Sequence, residues 1–292
     1  MKNQKLLIEL DKAGAEWVVV AYLSGDGQML KVLRSTRSPH VITGSLISGC
    51  PQDLVEKESK LVGLQTDPNL VETSRQELPE LQGNGYFLPR TMSIRQAGKK
   101  ANHGLNYGLG YKTFALYNEM EERDAKEIVR RYHEDAYPGI RQWHEKIKRQ
   151  LAKDKTLSNC FGRKRKFIDA WGMELWLDAY SFIPQSTVVD MVNIGMTNAF
   201  DDKSLDFQLL AQVHDSILIQ VPPEWEKAAQ DCKKIALDYM MPTIQYGARE
   251  FQIPTDVKVG YDWSNMRGVS VTSQTLATDI REAIEAIEEE TR

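Results

Sequence analysis

Four side chains suited to phosphate and base recognition recur every four residues along one predicted helix, at residues 92–108. They are Arg95, Lys99, His103 and Tyr107. Residues four apart lie nearly above one another on a helix with 3.6 residues per turn. Two cations one turn apart suit successive phosphates, and flat rings beyond them suit a base or a sugar. A solvated helix face is the alternative, but it does not explain why residues 81–118 contain five Lys and Arg residues and no Asp or Glu. The stripe therefore predicts a site for a nucleoside triphosphate.

Two aspartates stand where apolar strands are expected to end. Asp11 follows the apolar segment 5–10, and Asp215 lies between two apolar segments within 209–221. Neither carboxylate is expected in the core, because a buried charge needs a partner. For Asp215, a turn aspartate bonded to its own backbone is the alternative. If both strands lie together, the two aspartates predict a site for divalent cations, since Mg²⁺ takes a couple of carboxylates plus substrate phosphates and water.

The elements that must position these residues are a mixture of short strands and helices. Apolar runs predict strands at 5–10, in two segments of 209–221 and at 255–263. Helical periodicity predicts helices at 92–108, 110–133, 139–153, 172–200, 224–241 and 274–290. Segment 14–23 suits a strand by composition and a helix by length, and 35–90 predicts short helices and loops. Gly162 and the basic run after it predict a hairpin turn, and Pro184 predicts a kink or break in its helix.

The composition is that of a globular chain of 292 residues, 41% hydrophobic and 27% charged. The net charge is −4, but six acids lie in residues 268–292, and local basic patches on the remaining neutral body suit a phosphate-bearing ligand. The cysteines are three and widely spaced, which predicts neither a disulfide framework nor a zinc site and favours a reducing, cytosolic setting. No apolar run approaches the roughly 18 residues of a membrane span, so no membrane partner is expected.

Three stretches resemble, in the same order, the sequence motifs of the family A (polymerase I-like) DNA polymerases. LLIELDKAGAE is similar to motif A, RQAGKKANHGLNYG to motif B with its Arg-x3-Lys-x7-Tyr-Gly spacing, and QVHDSILIQV to motif C. The matching residues are Asp11, Glu16, Arg95, Lys99, Tyr107, Gly108, Gln212, His214 and Asp215. PQSTVVDM resembles the helix before motif C, and VKVGYDW resembles the last strand. The resemblance spans residues 7–263, and three motifs in order make chance similarity improbable.

The resemblance implies an α+β fold, a right-hand polymerase with an antiparallel palm sheet and mostly helical fingers. Residues 1–26 would be palm with motif A, 27–170 fingers, 171–267 palm with motif C, and 268–292 an acidic amphipathic tail. About 52–88 would be an insertion in the fingers. The tail has two alternatives that the sequence leaves equal, docking on a partner and packing on its own palm.

The resemblance also implies DNA-directed nucleotidyl transfer from a dNTP to a primer 3′-hydroxyl, catalysed with two Mg²⁺ ions. Asp11 and Asp215, with the Lys12 carbonyl, would hold the ions, and Lys99 would protonate the leaving group. The implied nucleotide-binding residues are Arg95, Lys99, His103, Tyr107 and Glu16. The implied contacts to the DNA primer-template are Gln185, His214, Tyr107 and Arg163. Glu16 would crowd the 2′ position of the sugar and exclude ribonucleotides.

The chain departs from the family pattern at several positions, and two of these departures bear on the chemistry. His103 stands where the family usually has Phe or Tyr, which bears on sugar discrimination. Ser216 replaces the acid that normally follows the motif C aspartate, the least critical of the family's carboxylates. Motif A also lies ten residues from Met1, so the thumb and the first part of the palm are expected on another polypeptide. We thus predict that the chain is one subunit of a split polymerase from a phage and that it acts in the host cytoplasm. The partner polypeptide would optionally carry an exonuclease.

Two other functions compete with this interpretation. A single-subunit RNA polymerase of the phage type shares the fold and the His-Asp-Ser of motif C, matched by His214, Asp215 and Ser216. Glu16 and the HGLNYG ending of motif B favour the DNA enzymes. The other alternative is a non-catalytic nucleic-acid-binding subunit or a decayed polymerase remnant. The joint presence of Asp11, Asp215, Arg95 and Lys99 disfavours it, because drift would not spare all four.

Overall fold

The computed structural model of the chain describes residues 5–12 and 14–291. The strands of this described part are β1 Leu6–Lys12, β2 Thr156–Ser158, β3 Lys164–Lys166, β4 Gln208–Val213, β5 Ser216–Val221, β6 Ile244–Tyr246, β7 Arg249–Phe251, β8 Thr255–Gly260 and β9 Met266–Val269. Its α-helices are α1 Ala15–Ser24, α2 Gly27–Val32, α3 Pro39–Ser48, α4 Gln52–Val62, α5 Pro68–Gln76, α6 Ile94–Gly104, α7 Tyr111–Tyr117, α8 Glu122–Arg131, α9 Pro138–Asp154, α10 Met173–Asp201, α11 Trp225–Lys234 and α12 Leu276–Thr291.

Helices and antiparallel strands are mixed, which confirms the predicted α+β class. The chain divides into two compact units. The sheet unit comprises the described residues up to Val19, Ser158–Arg163 and the described residues from Pro184 onward. The helical unit comprises Val20–Leu157 and Lys164–Ile183. The finer division into palm, fingers and tail stays a prediction.

The sheet unit is organised around a five-stranded antiparallel sheet in the order β4-β5-β1-β8-β9. Strand β1 is central, and its alternate residues Leu6, Ile8 and Leu10 are fully buried. This period of two leaves Asp11 on the other face of the strand. In the register of the sheet, Asp11 lies opposite Ser216 of β5 and opposite Asp256 of β8. The topology therefore places the end of β1 beside the β4–β5 hairpin.

The C-terminal helix α12 packs on its own sheet unit. Its apolar stripe of Leu276, Ile280, Ile284 and Ile287 is at most 4% exposed. The helix contacts α11, β8 and β9. Of the two alternatives for the tail, packing on its own unit is the one the structure shows, and the stripe is not a surface for a partner. The reason is that the apolar face covers the end of the sheet beside the edge strand β9.

The helical unit brings the backbones of α3 and α6 into direct contact. A Cβ atom on Gly98 would lie 2.6 Å from the Gly44 amide nitrogen, and one on Gly44 would lie 2.7 Å from the Ile94 carbonyl oxygen. Neither distance leaves room for a side chain. The two glycines thus fix how closely α6, with its cationic stripe, approaches the preceding helix. Sequence analysis predicted only short helices and loops for the segment that contains α3.

Several predicted elements have different boundaries in the structure. Helix α6 ends at Gly104, and Tyr107 lies in a 3-10 turn, Leu105–Tyr107, rather than on the helix itself. The predicted helix 110–133 is two helices, because the chain turns at Glu119 with a φ of 50° and the Asn118 side chain donates to the Phe114 carbonyl. Segment 14–23 forms a helix, α1, whose apolar residues are buried on most sides.

Pro184 neither ends nor divides its helix, since α10 continues through it to Asp201. An interior proline costs a helix about 3 kcal/mol. The flanking Phe182, Ile183 and Val188 are all buried, and this burial offsets the cost. The predicted β4–β5 hairpin and the predicted turn at Gly162 are both confirmed. No helix in the described part of the chain has the length and apolar character needed to cross a lipid bilayer.

Candidate active site

The two predicted aspartates lie together in the sheet unit. Asp11 is paired in register with Ser216, and Asp215 is the residue just before Ser216 in the two-residue turn that joins β4 to β5. The other turn residue, His214, has a φ of 54°, in the left-handed region that few non-glycine residues occupy. A two-residue turn of this kind matches the twist of the flanking strands. The antiparallel register thus brings together two carboxylates that are 204 residues apart in the chain, from 11 to 215.

The electrostatics of the pair favour a bound cation. Partial burial raises the pKa of Asp11, and the negative charges of Asp215 and Glu9 raise it further, against the opposing charge of Lys258. The higher pKa means that ionised Asp11 is destabilised by repulsion and by lost solvation. A divalent cation between the two carboxylates would relieve both. The donor set therefore fits Mg²⁺, which completes its shell with substrate phosphates and water. Among the described residues, no group of three or more His, Cys, Asp or Glu residues is arranged to hold a metal.

Lys12 anchors the end of β1 from the opposite face. Its ammonium group donates to Thr255 Oγ1 at 2.6 Å, to the Ile253 carbonyl at 3.2 Å and to the Met240 carbonyl. Burial lowers the pKa of Lys12 to about 7, while Asp215 acts in the opposite direction. Sequence analysis predicted only a role for its carbonyl, because a lysine is rarely buried. The side chain instead holds the backbone that presents Asp11.

Two further charged groups on the Asp11 face were missed from the sequence. Glu9 accepts from Lys258 at 2.7 Å and from the Trp263 indole at 3.0 Å. Asp256 lies opposite Asp11 in the β1–β8 register and is exposed. The alternation in TDVKVG places Asp256 on a solvent face, but only the strand pairing shows which residue it faces. The result is a face with four acids and one lysine around the end of β1.

The residues predicted to contact DNA within the sheet unit are on its surface. Gln185 and His214 are exposed. Arg163 is not independent, because its Nε donates to both carboxylate oxygens of the buried Asp190 at 2.9 Å. Asn159 donates to the same carboxylate at 2.7 Å. Burial opposes ionisation of Asp190, but these two partners hold its pKa below the ordinary value. Arg163 therefore has a structural role whatever it contacts outside the chain.

The predicted cationic stripe lies in the helical unit. Arg95, Lys99 and His103 are on α6, and Tyr107 continues the row in the following 3-10 turn. Lys99 and His103 are exposed, and Arg95 and Tyr107 are half-buried. Arg95 and Lys99 take part in no ion pair with the described residues. Their charges are thus available to an anion. Glu16 lies in the first turn of α1, in the sheet unit.

A network of buried polar side chains lies behind the cationic stripe and bonds to the end of α6 and to the turn after it. Asn102 Oδ1 accepts from the Thr43 hydroxyl at 3.1 Å, and its carbonyl accepts from Asn106 Nδ2 at 2.7 Å. Asn106 Oδ1 accepts from the Tyr132 hydroxyl at 2.8 Å. The Asn106 carbonyl lies 2.8 Å from His144 Nε2 and accepts from it. Every one of these groups is buried, so the network fixes the end of α6 and the turn after it.

His40 is a neighbour of the stripe that sequence analysis did not select. Its ring centroid lies 5.8 Å from that of His103, and its Nδ1 lies 3.3 Å from Asn102 Nδ2. Burial lowers the pKa of His40 to about 4, helped by the charges of His103, Arg95 and Lys99. His40 is therefore neutral at pH 7 beside three potential cations. No local signal identifies it, because α3 and α6 are distant in sequence.

Steric constraints explain why glycine follows Tyr107 at the end of the RQAGKKANHGLNYG stretch. Gly108 has a φ of 79°, and a Cβ atom there would lie 3.0 Å from Tyr180 Cε2. The Tyr180 ring stacks on His144 with centroids 3.8 Å apart and an interplanar angle of 13°. Both the left-handed backbone and the adjacent ring require glycine. The carboxylate pair and the stripe belong to different units, and their meeting at one site stays a prediction.

Comparison with known proteins connects this chain to one family. The sequence profile described as DNA polymerase family A matches residues 89–265. The thermostable DNA polymerase I of Thermus aquaticus is 24% identical over 267 residues, which are 88% of this chain and 27% of the relative. DNA polymerase theta of Caenorhabditis elegans is 23% identical over 259 residues, 84% of this chain and 15% of the relative.

A solved structure has a similar fold. It is the POL domain of Pol1 from M. smegmatis in complex with DNA primer-template and dNTP. The TM-score is 0.62 at 21% identity, and the match covers 88% of this chain and 39% of the other. The chain thus spans about a quarter of the length of the Thermus relatives and well under half of the solved chain.

Proposed function

The chain belongs to DNA polymerase family A, and from that premise we propose that it catalyses template-directed transfer of nucleotides from dNTPs to a primer 3′-hydroxyl. The observation that supports the chemistry best is the pair Asp11 and Asp215 at one edge of the sheet. Family A DNA polymerases use divalent metal ions in general. When bound, two Mg²⁺ ions would activate the 3′-hydroxyl and stabilise charge on the pyrophosphate.

The chain's own residues have separate tasks in this proposal. Asp11 and Asp215, with the Lys12 carbonyl, hold the ions. Arg95 and Lys99 bind the triphosphate through charge-assisted hydrogen bonds. Lys99 also transfers a proton to the leaving pyrophosphate oxygen, since an ammonium group can act as a general acid when held within hydrogen-bond reach.

The remaining predicted residues select the nucleotide and hold the DNA. Glu16 excludes the ribose 2′-hydroxyl, and the rings of His103 and Tyr107 pack against the sugar and the templating base. Gln185 and His214 contact the primer-template near its 3′ end. Arg163, aligned by Asp190, adds a contact to the DNA backbone.

We further propose that a second polypeptide supplies the thumb and the rest of the palm, with or without an exonuclease. The support is the outer strand β4, whose Leu209, Leu210 and Val213 are 37–48% exposed. An exposed, apolar edge strand is a surface that proteins normally cover. All three cysteines are free, which suits the reducing, cytoplasmic setting that we propose.

Primer extension by the chain together with its co-purified partner tests the catalytic proposal. Asp11→Asn and Asp215→Asn are each expected to lower the Mg²⁺-dependent rate at least about a hundredfold, because each removes a ligand charge at the reacting centre. Asp201→Asn, at the exposed end of α10, is the matched control and is expected to keep the rate. Full activity of either site variant would refute the assignment.

A ribonucleotide polymerase is the second candidate, favoured by the sequence His214–Asp215–Ser216. The two activities are separated by rates with dNTPs and rNTPs. We expect the wild-type protein to prefer dNTPs and Glu16→Ala to raise rNTP incorporation at least about tenfold, since removing a steric block relaxes discrimination. A wild-type preference for rNTPs would favour the RNA enzyme.

A further inference from the structure

An exposed aromatic surface lies in the helical unit, away from the residues assigned above. We call it the tryptophan surface; its members are Ile168, Trp171, Met173 and Trp176. Ile168 is 88% exposed, Met173 61% and Trp171 53%, and Trp176 is half-buried. The two indole rings have centroids 5.3 Å apart and an interplanar angle of 36°. Three large apolar residues exposed within six positions of the sequence are unusual for a solvated face.

Cations flank both rings of the tryptophan surface. Lys155 Nζ lies 4.6 Å from the centroid of the Trp171 ring, and Lys148 Nζ lies 5.7 Å from that of Trp176. Residues 145–180 contain nine Lys and Arg residues against five Asp and Glu residues, whereas the whole chain has a net charge of −4. The local excess of positive charge distinguishes this surface from an ordinary apolar docking face, whose partner would have no need of cations.

Two of the acidic residues within 145–180 already form ion pairs with cations of the same segment. Glu145 accepts from Lys148 at 2.7 Å, and Asp178 pairs with Arg165 at 2.6 Å. Lys155 also donates to the Asp169 carbonyl at 2.6 Å, which fixes the loop before Trp171. A purely structural role for Lys155 explains this bond, but it does not explain why Trp171 stays 53% exposed. The exposed part of this side chain is accessible to a planar ligand.

A cavity of about 420 Å³ connects the tryptophan surface with the end of the stripe. Its lining includes Gly108, Lys148, Met173, Trp176 and Tyr180. All of these residues belong to the helical unit. A strand whose base lies near Tyr107, the residue before Gly108, would therefore lie close to a cavity lined with rings and a lysine, and one of those rings, Trp176, neighbours Trp171.

We propose that the tryptophan surface binds single-stranded nucleic acid, and that its occupant during synthesis is the unpaired template ahead of the primer terminus. Bases would stack on Trp171 and Trp176, and phosphates would contact Lys148 and Lys155. This combination of stacking rings with a cationic path is how proteins bind single strands without sequence preference. The identity of the strand as template rests on the proposed function, whereas binding of a single strand does not.

Binding of a fluorescein-labelled, 20-nucleotide oligo-dT to the full chain, followed by fluorescence anisotropy, tests the surface. Trp171→Ala is expected to raise Kd about tenfold, because stacking on one ring contributes about 1–3 kcal/mol per base. Trp171→Phe keeps a ring and is expected to retain most of the affinity. Leu64→Ala, which is 84% exposed in the same unit but outside the tryptophan surface, is the matched control for an exposed apolar side chain and is expected to change Kd less than about twofold.

The contribution of the lysines can be measured separately, through the salt dependence of Kd. Lys155→Met is expected to weaken binding and to make the salt dependence of Kd shallower by about 0.7 in the log–log slope, the contribution of one phosphate on a single strand. Circular dichroism of each variant shows whether it folds. The proposal is wrong if folded Trp171→Ala binds the oligonucleotide as the wild type does, or if Leu64→Ala loses as much affinity as Trp171→Ala. It is equally wrong if the surface captures a protein and no oligonucleotide.

A second pair of measurements separates this proposal from the catalytic one. Asp215→Asn is expected to bind oligo-dT normally while losing primer extension. Trp171→Ala is expected to slow extension on a template with a long single-stranded overhang and not on one with a single unpaired nucleotide. If the wild type binds oligo-dT through Trp171 but no extension occurs, the surface stands and the proposed function fails. If extension occurs and both overhangs respond equally to Trp171→Ala, the template assignment fails.

Discussion

Asp11 and Asp215 show at the residue scale how a site can be arranged against its own stability. Their charges repel across the end of β1, and burial adds to the cost of ionising Asp11. Sites of this kind are stable enough only because the sheet around them is well packed, as the fully buried Leu10 and Ile219 show. A divalent ion held between the two carboxylates, as proposed above, would convert this repulsion into attraction.

A metal-dependent stability measurement follows from this arrangement. Mg²⁺ or Mn²⁺ at about ten times its Kd should stabilise the wild-type protein by about 1.4 kcal/mol, as any ligand specific for the folded state does. Asp215→Asn should abolish that shift and, without metal, should unfold no more easily than the wild type, because it removes the repulsion. A metal-free Asp215→Asn protein much less stable than the wild type would contradict the electrostatic argument. Asp201→Asn again serves as the control, with the metal response expected to be unchanged.

Buried histidines give the protein a defined response to acid. Burial lowers the pKa of His133 to about 3 and that of His144 to about 4, below the ordinary value of 6.5. At pH values between these folded pKa values and 6.5, the unfolded chain binds protons that the folded chain does not. The free energy of unfolding therefore falls as the pH falls below about 6.5. One such group contributes a loss of about 2 kcal/mol on going from pH 6.5 to pH 5.

Urea unfolding at pH 7.5 and pH 5 tests the assignment with a variant of one buried histidine. His133→Phe removes a group whose Nδ1 has no hydrogen-bond partner, and it should reduce the difference in unfolding free energy between the two pH values. His214→Asn is the control, because His214 is exposed and asparagine tolerates its left-handed backbone. An undiminished pH response in His133→Phe would exclude His133 as a contributor.

The clearest case at the scale of elements is the buried ion pair between α4 and α5, in the segment predicted as an insertion. Glu58 and Arg75 are at most 2% exposed, and Arg75 Nη2 lies 2.8 Å from Glu58 Oε1. Arg75 also donates to the carbonyls of Pro89 and Met92, and Glu58 accepts from the Ile94 amide at 2.9 Å. Both ends of the pair therefore hold the chain where α6 begins. The segment that contains α4 and α5 thus supports the helix that carries the cationic stripe.

Breaking the pair should destabilise the helical unit and loosen α6. Arg75→Met leaves the Glu58 carboxylate buried without its partner, for which the expected loss is about 3–5 kcal/mol. Glu80→Gln is the matched control, since the Lys57–Glu80 pair spans 3.8 Å on the surface of the same segment and such pairs contribute less than about 1 kcal/mol. Urea unfolding provides both values. Equal effects of the two variants would show that the pair does not support α6.

Arg75→Met should also change substrate binding, because the pair that it breaks supports α6. If α6 positions Arg95 and Lys99, then a chain with Arg75→Met should show a higher KM for dNTP at temperatures where it remains folded. Substrate binding should suffer more than turnover, since the carboxylate pair is unaffected. A lower kcat with an unchanged KM would show that the Glu58–Arg75 pair does not position Arg95 and Lys99 for dNTP binding.

At the scale of the whole molecule, the proposed second polypeptide can be tested through activity. The chain spans 27% of the length of the Thermus aquaticus polymerase, and strand β4 presents an apolar edge. We expect the chain alone to extend primers at least about a hundredfold more slowly than the chain with its partner, because a duplex that is not gripped is poorly positioned for reaction. Steady-state extension with and without the co-purified polypeptide measures the ratio. Equal rates would show that no second polypeptide is needed.

The sequence by itself determined the parts of this protein that depend on local pattern. The spacing of Arg95, Lys99 and His103 predicted one helical face, and the helix presents that face outward. The apolar run before Asp11 predicted β1, and the apolar halves of 209–221 predicted β4 and β5. Such signals are reliable because the periods of 3.6 and 2 come from backbone geometry alone.

Only the tertiary structure decided which distant residues meet. Asp256 faces Asp11, His40 lies beside His103, and Lys12 turns its charge into the core, and none of these follows from local pattern. Likewise, Pro184 remains inside a helix because its neighbours are buried, and α12 covers its own sheet. Register and packing depend on contacts between residues far apart in the chain, where long-range burial outweighs the small energies of local propensity.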